Sequence, residues 1–425
     1  MPHPSGGGGG SQTFDEGTDT GTQWFVRPSG GGGTGASWSN AWNGVENINW
    51  SSLAAGDTVW VASGTYTGNL EPGKSGTSGS KIKIRRARAD STQCTSATGW
   101  NSSYDALVTH TGAIIVGDFS HIVISGASTQ SGTDAFAARY GWLIDQSSFT
   151  SGTGVFYNNS ATATGWEVRW LELKGAGEIN VTGDMRAIDM TPFGTCSGHV
   201  YSHLKIHDWE SAVYEVGTNG SNVYEYVDMY DIAPLNTATF HPNGIITWDS
   251  PNSIVRYSKF HKGPNGLACG EGVFFEQSGG STGWKIYGNL FYDIDYTGVK
   301  AIEITSAVGA IKIFNNTFVN VSTETIYTSD SPSASSGEQR NNFVYNCGIN
   351  TGVSGITSSN NVTASATDRF VNYASRDLHI VSNTGAGYAR DAGTSLTADG
   401  FIDKDMDGNT RGADATWDCG AYDYA

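Results

Sequence analysis

The sequence predicts an all-β chain wound into a right-handed parallel β-helix, a solenoid with short terminal caps. Three observations carry that prediction. Helical periodicity is almost absent, and short runs rich in Val, Ile, Tyr, Phe and Thr are separated by Gly, Asn, Ser and Asp, the pattern of strands and turns. Six segments then superimpose: VYSHLKIHD (200–208), VYEYVDMYD (223–231), IVRYSKFHK (254–262), IYGNLFYD (286–293), IFNNTFVN (313–320) and NNFVYN (341–346). Their apolar anchors, Ile206, Met229, Phe260, Phe291, Phe318 and Val344, recur at intervals of 23, 31, 31, 27 and 26 residues. Repeats of that length mean stacked units, and each coil adds about 4.8 Å to a parallel stack. Last, Asn289, Asn316 and Asn342 stand two residues before the anchor in three successive coils. Amides stacked in this way bond coil to coil. An antiparallel sandwich or propeller competes, but blades keep a steadier period near about 40–45 residues.

Taken in order, residues 1–22 open with Gly6 to Gly10, Ser11 and Gln12 and read as a flexible Gly/Ser-rich tether. They lack the charged-then-apolar pattern of a signal peptide; a secreted form would have lost its leader already. Residues 23–395 hold the β-helix. There a second strand follows each anchor: AVYEV (212–216), GIITW (244–248), GVFFE (272–276), AIEIT (301–305) and TIYTS (325–329). Residues 396–425 make a C-terminal capping segment. GDTVWVASGTY (56–66) and DMDGNTRGADATWDCGAYDY (405–424) resemble the first and last coils of secreted right-handed β-helix proteins of the pectate-lyase-like superfamily. The resemblance runs from about Trp24 onward. It implies the fold and an extracellular or cell-surface location, but no single function, because that superfamily holds lyases, hydrolases, epimerases, phage tailspikes and adhesins.

Composition narrows the function classes. The 425 residues carry 24 Lys and Arg against 41 Asp and Glu, a formal charge of −17. No basic stripe is present to neutralise phosphates, which argues against a nucleic-acid partner. The 13 Trp, 19 Tyr and 17 Phe are far more than a non-folding chain carries, and no run of about 18 apolar residues exists to span a membrane. Cys94, Cys196, Cys269, Cys347 and Cys419 are scattered singly, without a CxxC pair; this argues against zinc or redox motifs and leaves at least one thiol unpaired. Asn180, Asn320 and Asn361 open glycosylation sequons.

In a parallel stack, equivalent residues of neighbouring coils form surface columns. One column reads His207, Tyr230, His261, Tyr292, followed by Asp208, Asp231, Lys262, Asp293. Aromatic faces in a line suit sugar rings, while the plain alternative is a structural ladder with Lys262 neutralising the carboxylates. In the second strand, Val213, Ile245, Val273, Ile302 and Ile326 should point inward. The outward columns are then Ser211, Asn243, Glu271, Lys300, Glu324; Tyr214, Ile246, Phe274, Glu303, Tyr327; and Val216, Trp248, Glu276, Thr305, Ser329. Trp248, Tyr214, Phe274 and Tyr327 would surround Glu271, Glu276, Lys300 and Glu303 on an exposed face, with His241 of the HPNG loop overhanging it. A face this aromatic reads as a glycan-binding groove.

Two mechanisms fit. Glu276 and Glu303, one coil apart and offset by two residues, would have Cα atoms roughly 8 Å apart, within reach of a glycosidase acid and base. Alternatively, Lys300 would serve as the base of a lyase, although flanking glutamates raise a lysine pKa. An inert Glu-Lys-Glu ion ladder is the plain alternative. No tandem Asp pair and no His-Gly-His of the polygalacturonase type is present, and RYSK (256–259) is only similar to a lyase Arg/Lys pairing. Near the end, Asp403, Asp405 and Asp407 before Gly408 match the start of a calcium loop, with Asp414 at position twelve in place of Glu; a metal-free capping turn is the other reading. The sequence therefore points to an extracellular polysaccharide-degrading enzyme, hydrolase or lyase, with calcium as its one candidate cofactor. The alternative is a non-catalytic, self-associating structural or adhesive fibre subunit.

Overall fold

The computed structural model describes residues 14–424, apart from 18, 130, 133–138, 150–153, 159–161, 178–184, 191–194, 218, 233–241, 268, 277–280, 295–299, 322–323, 329–335 and 402–403. Among the described residues, three long parallel sheets of thirteen, eleven and eight strands run side by side. One coil shows the plan. Val223–Glu225 lies in the thirteen-strand sheet, Asp228–Tyr230 in the eleven-strand sheet and Asn243–Trp248 in the eight-strand sheet. The result is the right-handed parallel β-helix that the repeats predict. No helix among the described residues is long and apolar enough to cross a membrane.

The coil register follows the sequence alignment. Ile206, Met229, Phe260, Phe291, Phe318 and Val344 pair in a single row of the eleven-strand sheet and are buried. Within that row Phe260, Phe291 and Phe318 stack ring on ring at 4.7 and 5.0 Å. Val213, Ile245, Val273, Ile302 and Ile326 form the inward row of the eight-strand sheet. Burying such rows supplies the apolar driving force, about 25 cal/mol per Å² removed from water.

A two-residue turn joins the thirteen- and eleven-strand sheets, and its first residue is left-handed. In the later coils Asn315, Asn341 and Asn360 fill that position, with φ of 52°, 57° and 53°, and Asn tolerates it well. Earlier coils use Trp170, His203, Tyr226 and Tyr257, with φ of 53–60°, a costly choice for large side chains. Their rings stack at 4.2, 4.8 and 5.3 Å, and that contact offsets the strain. The second turn residue builds the amide ladder. Asn289 Nδ2 donates to Asn316 Oδ1 at 3.0 Å, Asn316 Nδ2 to Asn342 Oδ1 at 3.1 Å and Asn342 Nδ2 to Asn361 Oδ1 at 2.9 Å. The ladder thus gains Asn361 beyond the three positions expected.

Both ends are tied to the coils. Within the expected tether, Phe14–Asp15 pairs with Ser131–Gly132, and Asp19 binds Arg85 at 2.8 Å and Lys83 at 3.0 Å. At the other end the chain runs back along the coils. Asn315 Nδ2 donates to the Asp418 carbonyl, Thr317 Oγ1 accepts from Ala421 N, and Tyr257 Oη donates to the Lys404 carbonyl. It thereby covers the turn-side cluster of Tyr257, Tyr287, Phe314 and Phe343. None of the five cysteines is in a disulfide.

Candidate active site

Glycines shape the outer face of the eight-strand sheet. Asn243 is in register with Glu271, and Ile245 with Val273. Gly244 and Gly272 occupy the intervening positions, where the strand enters the core so closely that a Cβ on Gly272 would lie 2.6 Å from the Ala301 carbonyl oxygen and from the Phe291 ring. Simple alternation breaks there. Glu271 and Phe274, three residues apart, both reach the outer side, and Glu303 stands in register with Phe274 on the next coil.

This kink brings Glu271 to Glu303. The two carboxyls hydrogen-bond to each other, and Glu271 is only 5% exposed. Burial, then the charge and hydrogen bond of Glu303, push Glu271 up to about 9, against a weaker opposing pull from Lys300. Two carboxyls in contact cannot both ionise in such a site, so the pair holds one proton at neutral pH. Glu271 Oε2 is buried without a hydrogen-bond partner among the described residues.

The structure therefore corrects the expected pairing. Glu303 meets Glu271, whereas Glu276 is held by Trp248, whose Nε1 donates to Glu276 Oε2 at 2.5 Å. Lys300 follows Glu271 in the column as expected, and its ammonium lies 4.4 Å from the centre of the Tyr327 ring. Glu324 accepts from Asn350 Nδ2 at 2.6 Å. The exposed aromatic face is also corrected. Tyr214, Val216, Ile246 and Phe274 are 6–8% exposed and form a separate outer cluster with Trp248, because the rings pack on one another. Tyr214 meets Trp248 edge-on at 5.4 Å. His241 lies outside the described residues, as do Ser329 and Asn180.

Two neighbours escaped the sequence reading. Arg186 continues the Glu271 column through Ser211, and Asp189 continues that of Tyr214. The Arg186 guanidinium carbon lies 3.5 Å from the centre of the Tyr214 ring, and Arg186 pairs with Asp189 at 3.3 Å. The signal was available, since RAIDM (186–190) aligns with SAVYE (211–215) and Leu173 stands one coil before Ile206 in the anchor row.

The His207 column sits elsewhere, on the eleven-strand sheet, and does not join this site. His207, Tyr230, His261 and Tyr292 stack in sequence at 5.0, 5.3 and 4.7 Å. Both faces of Tyr230 and His261 are therefore covered by neighbouring rings, which corrects their reading as sugar platforms. The imidazole edges are bound too. His207 bridges Asp208 at 2.8 Å and Glu172 at 2.9 Å, and His261 reaches Asp228 at 2.7 Å. Asp293 is held by Arg376 and Asn320. Arg256 of the RYSK run grips Glu225 through two nitrogens, at 2.6 and 2.9 Å, on the thirteen-strand sheet.

Asp405 is fully buried in the C-terminal turn. Its Oδ1 accepts from Asp407 N and Asn409 N, and its Oδ2 from Asn409 Nδ2 and Asp423 N. Asp407 pairs with His379 at 2.7 Å. A carboxylate whose oxygens already take four N–H donors has little left for a hard cation, so these residues fit a capping turn better than a calcium loop. Asp403 lies outside the described residues. Among those described, no three His, Cys, Asp or Glu side chains converge as a metal site.

No protein-family model and no curated protein matches the chain. Among solved structures it is similar to pectate lyase Pel9A, with 12% identity and a TM-score of 0.57 over 95% of this chain and 96% of that one. A rhamnogalacturonan lyase matches with 13% identity and a TM-score of 0.44, over 83% of this chain and 91% of that one. The Pel9A likeness establishes architecture, and it agrees with what residues 56–66 and 405–424 imply: the chain has the right-handed parallel β-helix fold of a pectate lyase.

Proposed function

We propose that the protein is an extracellular polysaccharide-degrading enzyme, with the Glu271–Glu303 carboxyl pair as its acid–base centre. The pair itself carries the reading. Cleaving a glycosidic bond calls for a carboxyl still protonated near neutral pH, able to donate to the leaving oxygen. A buried dyad sharing one proton meets that need, and Glu271 near 9 keeps it filled. Glu276, positioned by the Trp248 indole, has its Cα roughly 8 Å from that of Glu303 by strand geometry and serves as the second carboxyl of the site. Trp248, the half-buried member of the outer cluster, borders the same face and supplies the apolar contact that sugar rings use. Arg186 on Tyr214 and Lys300 on Tyr327 mark its two ends.

The test is turnover on a panel of neutral and uronic polysaccharides, read as new reducing ends. Glu303→Gln is expected to lose at least about a hundredfold in turnover while keeping its shape, since general acid–base catalysis supplies about 10²–10⁴ in rate. Trp248→Ala is expected to weaken binding more than turnover. No turnover by the parent across the panel would overturn the catalytic reading in favour of a structural or adhesive fibre subunit.

A further inference from the structure

We infer that the glycan taken by this face is a neutral one and not a polyuronate. The inference rests on reading the face as the glycan-cleaving site. All 24 Lys and Arg of the chain fall among the described residues, so the cations near the sheet are accounted for. Two of them stand in the outward columns, Arg186 and Lys300. Arg186 is committed to Asp189 and to the Tyr214 ring, and Lys300 lies against Tyr327. Facing them in the same columns are five carboxyl groups, on Asp189, Glu271, Glu276, Glu303 and Glu324. Even with one proton held by the dyad, the face is net negative.

A polyuronate brings a carboxylate on every ring, and such groups are recognised by Arg or Lys placed to meet them. Here each added carboxylate would meet like charge in a site where water is scarce, and that juxtaposition opposes binding. Neutral rings face no such opposition. Their hydroxyls donate to carboxylate oxygens, which this face holds in excess over its cations. A neutral glycan also fixes the reaction. Without a carboxyl beside the ring carbon there is no acidic proton for β-elimination, so the bond is cut by hydrolysis. The dyad proton passes to the leaving glycosidic oxygen as the C1–O bond breaks. The water oxygen bonds to C1, and the water's proton goes to a carboxylate.

Calorimetric titration of the full chain with xylo-, gluco- and manno-oligosaccharides, against oligogalacturonates of matched length, tests this. At low salt the best neutral ligand is expected to bind at least about tenfold tighter than any uronate, a gap of about 1.4 kcal/mol. The gap should shrink as ionic strength approaches about 1 M, where the Debye length falls to about 3 Å. Uronates binding as tightly as neutral sugars, or no glycan binding at all, would overturn the inference. A neutral glycan bound but never cleaved would leave it standing and remove the catalytic reading instead.

Discussion

Replacing Asn316 by Leu measures what the amide ladder contributes, and the structure fixes the size of the loss. Asn316 is fully buried. Its Oδ1 accepts from Asn289 N and Asn289 Nδ2, each at 3.0 Å, and its Nδ2 donates to the Ile286 carbonyl at 2.9 Å and to Asn342 Oδ1 at 3.1 Å. Leucine keeps the number and branching of the side-chain heavy atoms but is bulkier, so crowding adds to a loss that is chiefly polar. Two donors of Asn289 and one acceptor of Ile286 lose these bonds in a dry interior, while Asn342 Oδ1 keeps the Asn316 amide at 2.9 Å. Each orphaned group costs about 1–3 kcal/mol. Because two of the three share one residue, the costs add incompletely, and about 4 kcal/mol is a fair total. With unfolding entropy near 2.1 cal/mol/K per residue, that is a fall in Tm of roughly 4–5 °C. Asn372→Leu is the control, since Asn372 is exposed and its side chain accepts one bond, from Ser375 N at 3.3 Å; its shift should stay under about 1 °C on the same scale. Calorimetric scans of the two variants decide the matter, and hydrogen exchange should localise the damage to the Asn289 amide. Equal shifts in the two variants would refute the ladder as a source of stability.

Three further outcomes are expected. Turnover should fall as pH rises through about 9, where the Glu271–Glu303 pair gives up its shared proton, and Glu271→Gln should remove that alkaline limb along with most of the activity. Stability should be greatest between about pH 4.5 and 6.5 through the Glu172–His207 pair. Burial disfavours the charged Glu172, but the bonds and charges of His207 and Lys205 outweigh it and hold Glu172 at about 2, so its contribution is complete above about 4.5 and lost as pH falls. Burial likewise disfavours the charged His207, yet Asp208 and Glu172 raise it above 6.5, so its share is complete below 6.5 and lost as pH rises; urea titrations of His207→Gln against pH should show a flattened alkaline slope. Finally, a chelator should leave the Tm unchanged, whereas Asp405→Ala should lower it by freeing four N–H donors; a chelator effect that disappears in Asp405→Ala would place calcium in that turn after all.

The fold was legible because a parallel stack writes its core directly into the sequence. Phe260, Phe291 and Phe318 face the same interior at the same register, so their spacing reveals the coil without any long-range pairing to guess. The Asn ladder was legible for the same reason, since one residue type recurs where one turn geometry recurs. The His207 column was found by the same rule but misread in use. Register locates a column, yet it does not say whether its rings stack on one another or stay open to a ligand. Here the separation of about 4.8 Å between coils is close to ideal for ring-on-ring contact, and self-stacking wins.

The site was legible in its members and misjudged in its pairing, and the cause is local. Strict alternation sends Glu276 and Glu303 outward as neighbours, as it does Phe274 and Tyr214. Gly272 interrupts that alternation. A residue without a Cβ lets the strand pass within contact of the Ala301 carbonyl and the Phe291 ring, and the lost step turns Glu271 onto the face that Glu303 already occupies. The same close passage leaves Glu271 almost no exposed surface, so the feature that pairs the two carboxyls also dries them. Pairing without burial would give two ionised carboxylates repelling each other in water, and burial without pairing would give one acid with nothing beside it to take back the proton. The glycine kink supplies both conditions at one position. That is why the proposed acid–base centre is placed at Glu271, at the bend of the strand, rather than at Glu276 on its regular stretch.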